Sequence, residues 1–107
     1  YKILQSAKLY RDLAIAVQDS PQNRVVAASA ADELLNISGV DASIVVAPDG
    51  NGGSFASARS IGELNVQLIM EKLGGGGNRS AAAAQFAGTD VNTAVKKIYA
   101  AIDDYLG

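Results

Sequence analysis

The sequence predicts a single α/β domain in which helices pack against a mixed β-sheet of four or five strands. Three observations predict it. The 107-residue length suits one core. Apolar runs of strand character stand at 13–18 and 42–47, and they alternate with segments of helical period over 21–37, 61–73 and 91–102. With 49% apolar and 19% charged residues, the composition is that of a globular chain.

Ile3, Ala7 and Tyr10 recur at helical spacing, so residues 3–10 read as a short helix, the end of a linker helix over 1–10 that Arg11-Asp12 stops. Beginning on Tyr1, the chain reads as a piece cut from a longer protein, residues 1–107 being one domain of it. Leu13, Ile15 and Val17 alternate with Ala14, Ala16 and Gln18, the period of a strand. Ser20 before Pro21 has the form of an N-cap with proline in the first turn. Val26, Ala30, Leu34 and Ile37 then mark one helix face, which Gly39 closes as a left-handed cap. Ala42 to Ala47 is a buried strand, and the turn Pro48 to Gly53 joins it to a second one, Ser54 to Arg59. In that second strand Phe55, Ser57 and Arg59 share a face, while Ala56 and Ala58 share the other.

Ser60 and Glu63 form a capping box ahead of an amphipathic helix, 61–73, with Val66, Ile69, Met70 and Leu73 on its apolar stripe. Gly74 to Gly77 follow. Ala81 to Ala84 read as one helical turn and Gln85 to Gly88 as a short strand, since alanine favours helix. Val91, Ala94, Val95, Ile98 and Ile102 define a last helix capped by Thr89 or Asp90.

The chain has no cysteine, histidine or tryptophan. That excludes a cysteine nucleophile, a disulfide, a Cys/His zinc site, a Ser-His-Asp triad and imidazole acid-base chemistry. A net charge of −2 provides no global field toward nucleic acid or an anionic membrane, so phosphate recognition must be local. No apolar stretch reaches the ~18 residues of a membrane span.

Two places stand out: the Ser57-Ala58-Arg59-Ser60 corner and the run from Gly74 to Ala84. Consecutive glycines open the backbone to positive φ and let a ligand approach bare N–H groups. A helical turn beginning at Asn78 to Ser80 would add its free N–H groups to an anion-attracting concavity. Arg79 would supply a forked donor, and Ser80 or Asn78 a cap or a phosphate contact. On spacing alone the glycine run also reads as a helix cap followed by flexible linker, and Arg59 as a surface charge. Convergence of Arg59 with the glycine turn is what would make an anion site. The Asp49-Gly50-Asn51 loop has a faint likeness to a calcium loop but lacks its closing Glu, and reads as a turn.

Over residues 57–85, SARSIGELNVQLIMEKLGGGGNRSAAAAQ, the chain resembles the DHH-associated domain, the C-terminal lobe of DHH-family phosphoesterases. It looks most like the GdpP-type membrane phosphodiesterases that hydrolyse cyclic di-AMP. The resemblance implies an upstream DHH lobe in the same chain that holds two divalent ions, usually manganese, while this lobe closes over the cleft and binds a cyclic dinucleotide or short oligonucleotide. Ser57, Arg59, Gly74, Gly75, Gly76, Gly77, Asn78, Arg79 and Ser80 would hold substrate phosphate or base, with neither catalytic nor metal-ligating residues in the fragment. It further implies a cytoplasmic domain of a membrane-anchored parent, with a homodimer among its partners. The family turn ends in glycine-histidine, and Asn78 stands at that place; an amide donates a hydrogen bond but carries no charge. The alternative function is a non-catalytic module for single-stranded nucleic acid, as in exonucleases and alanyl-tRNA synthetases.

Overall fold

The centre of the sheet is built from the two most strand-like runs. A computed structural model describes residues 2–107, and in it Ala42–Pro48 forms β3 while Ser54–Ser60 forms β4, an antiparallel pair buried along nearly all its length. Leu13–Val17 (β2) lies parallel to β3, and the helix Arg24–Leu34 (α2) makes the crossover that a parallel pair requires. Ala81–Phe86 (β6) adds antiparallel to the other edge of β4. Two three-residue strands, Lys8–Tyr10 (β1) and Gly76–Asn78 (β5), close the margins, so the order is β1-β2-β3-β4-β6-β5. The class is the expected one; the sheet has six strands, the two short margins raising it above four or five.

Each face of the sheet carries its own core. Helices Val66–Glu71 (α3) and Val91–Leu106 (α4) cover one face, packing Ile69, Met70, Ile98 and Ile102 onto Ile15, Ile44, Val46, Ala56 and Ala84. On the other face α2, with Lys2–Gln5 (α1), packs Ala27, Ala30, Ala31 and Leu34 onto Ala14, Ala16, Val45, Ala47 and Phe55. α2 contacts β3 and β4 and leaves the same side of β6 and β5 without a helix.

Several local expectations are overturned. Residues 3–10 are not one helix: α1 ends at Gln5 and Lys8–Tyr10 is a strand, while Tyr1 lies outside the described residues. Arg11 and Asp12 have φ of 49° and 69°, and Tyr10 pairs directly with Leu13, so these two residues form a tight hairpin turn. Tyr10, half-buried, packs against α4 instead, its ring meeting Tyr99 edge-on at 4.7 Å and its hydroxyl donating to Asp103 Oδ1 at 2.6 Å. Because both turn residues are left-handed, Asp12→Gly is expected to stabilise the chain by about 0.5–1 kcal/mol. A thermal melt checks this, and an unchanged or lower midpoint counts against strain at that turn.

Asn23, not Ser20, caps α2, its Oδ1 accepting from Val25 N at 2.7 Å; Gln22 N is held instead by the Pro48 carbonyl at the end of β3. The helix stops at Leu34, and Gly39 shapes a later turn. The Ser60–Glu63 capping box does not form, because Ser60 spends its N–H on the Ser80 carbonyl and its hydroxyl on the Asp41 carbonyl. α3 therefore starts at Val66 behind an Asn65 cap. Asp90, one of the two expected residues, caps α4, accepting from Thr93 N at 2.7 Å.

Capping and pairing set the pH limits of this fold. Backbone N–H groups, from Asn51 for Asp49 and from Thr93 for Asp90, hold these carboxyls below the ordinary 3.8, and the Tyr10 hydroxyl does the same to Asp103. The same bond pushes Tyr10 above its ordinary 10.0. Lowered carboxyls contribute stability above their unfolded pKa and lose it as pH falls through the folded values; a raised phenol contributes below its unfolded pKa and loses it as pH rises through the folded value. With no histidine to titrate between, the melting temperature is expected to be level from about pH 5 to about pH 9 and to drop on both sides. A slope within that window contradicts the assignment.

Candidate functional site

The uncovered side of β6 and β5 continues the surface on which Ser57 and Arg59 stand. Directly paired residues of neighbouring strands point to the same side of a sheet. Arg59 pairs with Ala81, which pairs with Asn78; one step along, Ser57 pairs with Ala83, which pairs with Gly76. The result is two rungs, Arg59–Ala81–Asn78 and Ser57–Ala83–Gly76, whose floor has no side chain larger than a methyl group. From β4 to β5 each rung spans roughly 10 Å, two strand spacings. A third partial rung, Phe55–Gln85, extends the surface toward the start of α2.

Along its inner margin the face is bounded by α2. Arg24, Ala28 and Asp32 fall at i, i+4 and i+8, one stripe of that helix. Arg59 Nε forms an ion pair with Asp32 Oδ1 at 3.2 Å, and Arg59 Nη1 donates to the Ala58 carbonyl at 2.8 Å. Arg59 is only 21% exposed, so these bonds fix its guanidinium in place. Its Nη2 donates to nothing among the described residues. Ser57 is buried to 6% exposure, its Oγ at the 3.5 Å limit of contact with Arg59. A fork held on one side and open on the other is suited to an anion arriving over the floor.

The glycine run behaves differently from the expected anion nest. Gly74, at φ 83°, ends α3, with Gly75 N donating to the Met70 carbonyl at 2.9 Å in a Schellman closure. No helical turn follows; Gly76–Asn78 is a strand and Ala81–Phe86 its partner. The alanines sit in β6 with alternate burial of Ala82, Ala84 and Phe86, tertiary packing overriding their helix propensity. Gly75 and Gly77 press against the β6 backbone: a Cβ on Gly77 would lie 2.4 Å from the Ala81 oxygen and one on Gly75 2.1 Å from the Ala83 oxygen.

Asn78 closes the β5–β6 turn, its Oδ1 accepting from Ser80 N, Ser80 Oγ and Ala81 N at 3.0, 3.2 and 2.9 Å. That use of the oxygen leaves the Asn78 amide nitrogen as a donor at the rim of the face. Arg79 turns away, donating to the Glu63 carbonyl at 3.2 Å, and the Ser80 carbonyl receives Ser60 N. Of the nine candidate residues, the register therefore brings Ser57, Arg59, Gly76 and Asn78 onto one surface. Gly74, Gly75 and Gly77 shape the backbone beneath it, and Arg79 and Ser80 build the turn beside it.

Sequence reasoning missed Arg24, Asp32 and Gln85. The 24/28/32 spacing was the available signal, since it places a cation and a carboxylate on the helix edge that borders β4. A separate hollow of about 590 Å³, lined by Lys72, Phe86, Lys97 and Asp104 among others, lies between α3 and α4 on the opposite side of the sheet. The donors of the open face are guanidinium, hydroxyl and amide groups. They suit phosphate and do not suit a metal, and no group of three or more His, Cys, Asp or Glu able to hold a metal ion occurs among the described residues. No described helix is long and apolar enough to cross a membrane.

Fold and face together define the class: an α/β domain with a side-chain-poor, guanidinium-flanked sheet surface. Residues 12–106 match the DHHA1 domain model, and the chain belongs to that family. It is 44% identical, over 97% of its length, to the cyclic-di-AMP phosphodiesterase GdpP of Bacillus subtilis. It is 45% identical, over 97% of its length, to the cyclic-di-AMP phosphodiesterase PdeA of Listeria monocytogenes. The chain spans 16% of the length of each of these two relatives. Among solved structures, an exopolyphosphatase-related protein of Bacteroides fragilis superposes with a TM-score of 0.81 at 25% identity, covering 97% of this chain and 33% of that one.

Proposed function

We propose that this chain is the substrate-binding lobe of a cyclic di-AMP phosphodiesterase. The observation that carries the reading is the Arg59 guanidinium, anchored by Asp32 and the Ala58 carbonyl, standing beside a floor of Ala81, Ala83 and Gly76. A phosphate on such a floor would take its charged contact from the Arg59 Nη2 group, and the Asn78 amide across the floor would serve another part of the ligand. In this reading the hydrolytic centre, with two divalent ions of the manganese type, belongs to an upstream lobe of a longer chain. The work of the present residues is to bind and orient the phosphodiester and to neutralise its charge.

A module for single-stranded nucleic acid is the weaker reading. Stacking of bases needs exposed aromatic platforms. Here Phe55 and Phe86 are buried, Tyr10 and Tyr99 pack on each other, and the Tyr105 hydroxyl is bonded to Asn65 N. The test is turnover by the full-length protein that carries this chain, supplied with manganese and offered cyclic di-AMP, its linear dinucleotide product and single-stranded oligonucleotides. Cyclic di-AMP is expected to be hydrolysed. Degradation of oligonucleotides without turnover of either dinucleotide would transfer the assignment to the nucleic-acid reading.

A further inference from the structure

The far end of the open face carries a second cation that the proposed function does not use. Arg24 lays its guanidinium over the Phe55 ring, 4.7 Å from the centroid, and its Nη2 donates to Gln85 Oε1. Gln85 is itself fixed: Nε2 donates to Asp49 Oδ2 at 2.7 Å and to the Ser54 carbonyl at 3.1 Å, which turns the amide oxygen toward Arg24. Among the described residues the ion pairs join Arg11 to Asp103, Arg59 to Asp32 and Lys72 to Asp104. Arg24 is in none of them. The Asp49 carboxylate lies near enough to feel the Arg24 charge but makes no ion pair with it, so Arg24 is oriented by stacking and a hydrogen bond with no carboxylate among the described residues in direct contact.

Phe55 and Arg59 stand four residues apart on the same side of β4, about 13 Å along the strand. Ser57 and the Ala83 methyl lie between them. The two guanidiniums thus flank one uninterrupted floor, one at each end.

We propose that Arg24 contacts the second phosphate of a two-phosphate nucleotide whose first phosphate is held at Arg59, so that the face selects dinucleotides over mononucleotides by the span between two cations. Phe55 and Gln85 are positioning residues for Arg24. The inference rests on reading the open face as the nucleotide-binding surface.

The test compares Arg24→Gln, Arg24→Lys and Arg59→Ala in the full-length protein, measuring KM for cyclic di-AMP and the inhibition constant of AMP, with a thermal melt on each variant. Arg24→Gln is expected to raise KM for cyclic di-AMP about tenfold, the scale of one lost charge-assisted hydrogen bond, while AMP inhibition stays within about twofold. Arg24→Lys, which keeps the charge without the fork, is expected to fall between wild type and Arg24→Gln, and it carries the comparison if Arg24→Gln melts early. Arg59→Ala is expected to weaken both ligands. Loss of AMP and cyclic di-AMP by the same factor in the Arg24 variants overturns the inference, as does an unchanged KM when Arg59→Ala raises it. If Arg59→Ala alters neither ligand, the reading of the face itself fails, a result distinguishable from failure at Arg24 alone.

Discussion

Replacing Arg59 with alanine is expected to lower kcat/KM for cyclic di-AMP in the full-length protein by about 10- to 100-fold, with little loss of stability. The magnitude follows from a charged hydrogen bond to phosphate, about 1.5–3 kcal/mol. The fold tolerates the change because Arg59 lies at the end of β4 and its partner Asp32, 62% exposed, regains water when released. Arg59→Lys keeps the charge but loses the geometry in which Nε pairs with Asp32 while Nη2 stays without a partner among the described residues. It is expected to recover only part of the loss. Asp32→Ala separates the two roles of the pair: it leaves the cation and removes its anchor, and a KM rise smaller than that of Arg59→Ala is expected. Kinetics of Arg59→Ala equal to those of the unaltered protein would remove the face from substrate binding.

The largest effect on stability is expected at Gly77. Its φ is +145°, and a methyl group added there would stand 2.4 Å from the Ala81 oxygen, so Gly77→Ala must force β5 away from β6. About 2 kcal/mol is lost on this count, and the melting temperature falls by about 10 °C. Gly76 is the control, since a Cβ there meets nothing within 4 Å. Gly76→Ala should melt like the parent yet weaken dinucleotide binding, because its methyl rises from the floor of the open face. Equal melting of the two variants would show that close strand approach is not what demands glycine at 77.

The division between what could and could not be read from the residues has a physical basis. β2, β3 and β4 announce themselves because their alternation is imposed by burial on the sheet, and Phe55, Ser57 and Arg59 were assignable to one side for the same reason. α4 carries its own cap and apolar stripe. Ala81 to Ala84 could not be placed, because alanine's local preference is for helix and what makes this run a strand is its pairing with β4 and the burial of Ala82, Ala84 and Phe86 in the core. The Ser60–Glu63 box failed on the same principle: long-range bonds to Ser80 and Asp41 took the Ser60 N–H and hydroxyl that a local cap would have used. The Arg59–Asp32 pair joins residues distant in the chain, and only the lateral placement of α2 over β3 and β4 brings them into contact.

β6 presents two different chemistries from one short stretch of backbone. Ala82, Ala84 and Phe86 point into the core under α3 and α4, whereas Ala81, Ala83 and Gln85 point to the open side. Substitutions at 81 and 83 can therefore reshape the open face without entering the packed interior. Through this alternation the open surface can change one methyl group at a time, while the interior that keeps the domain folded stays the same.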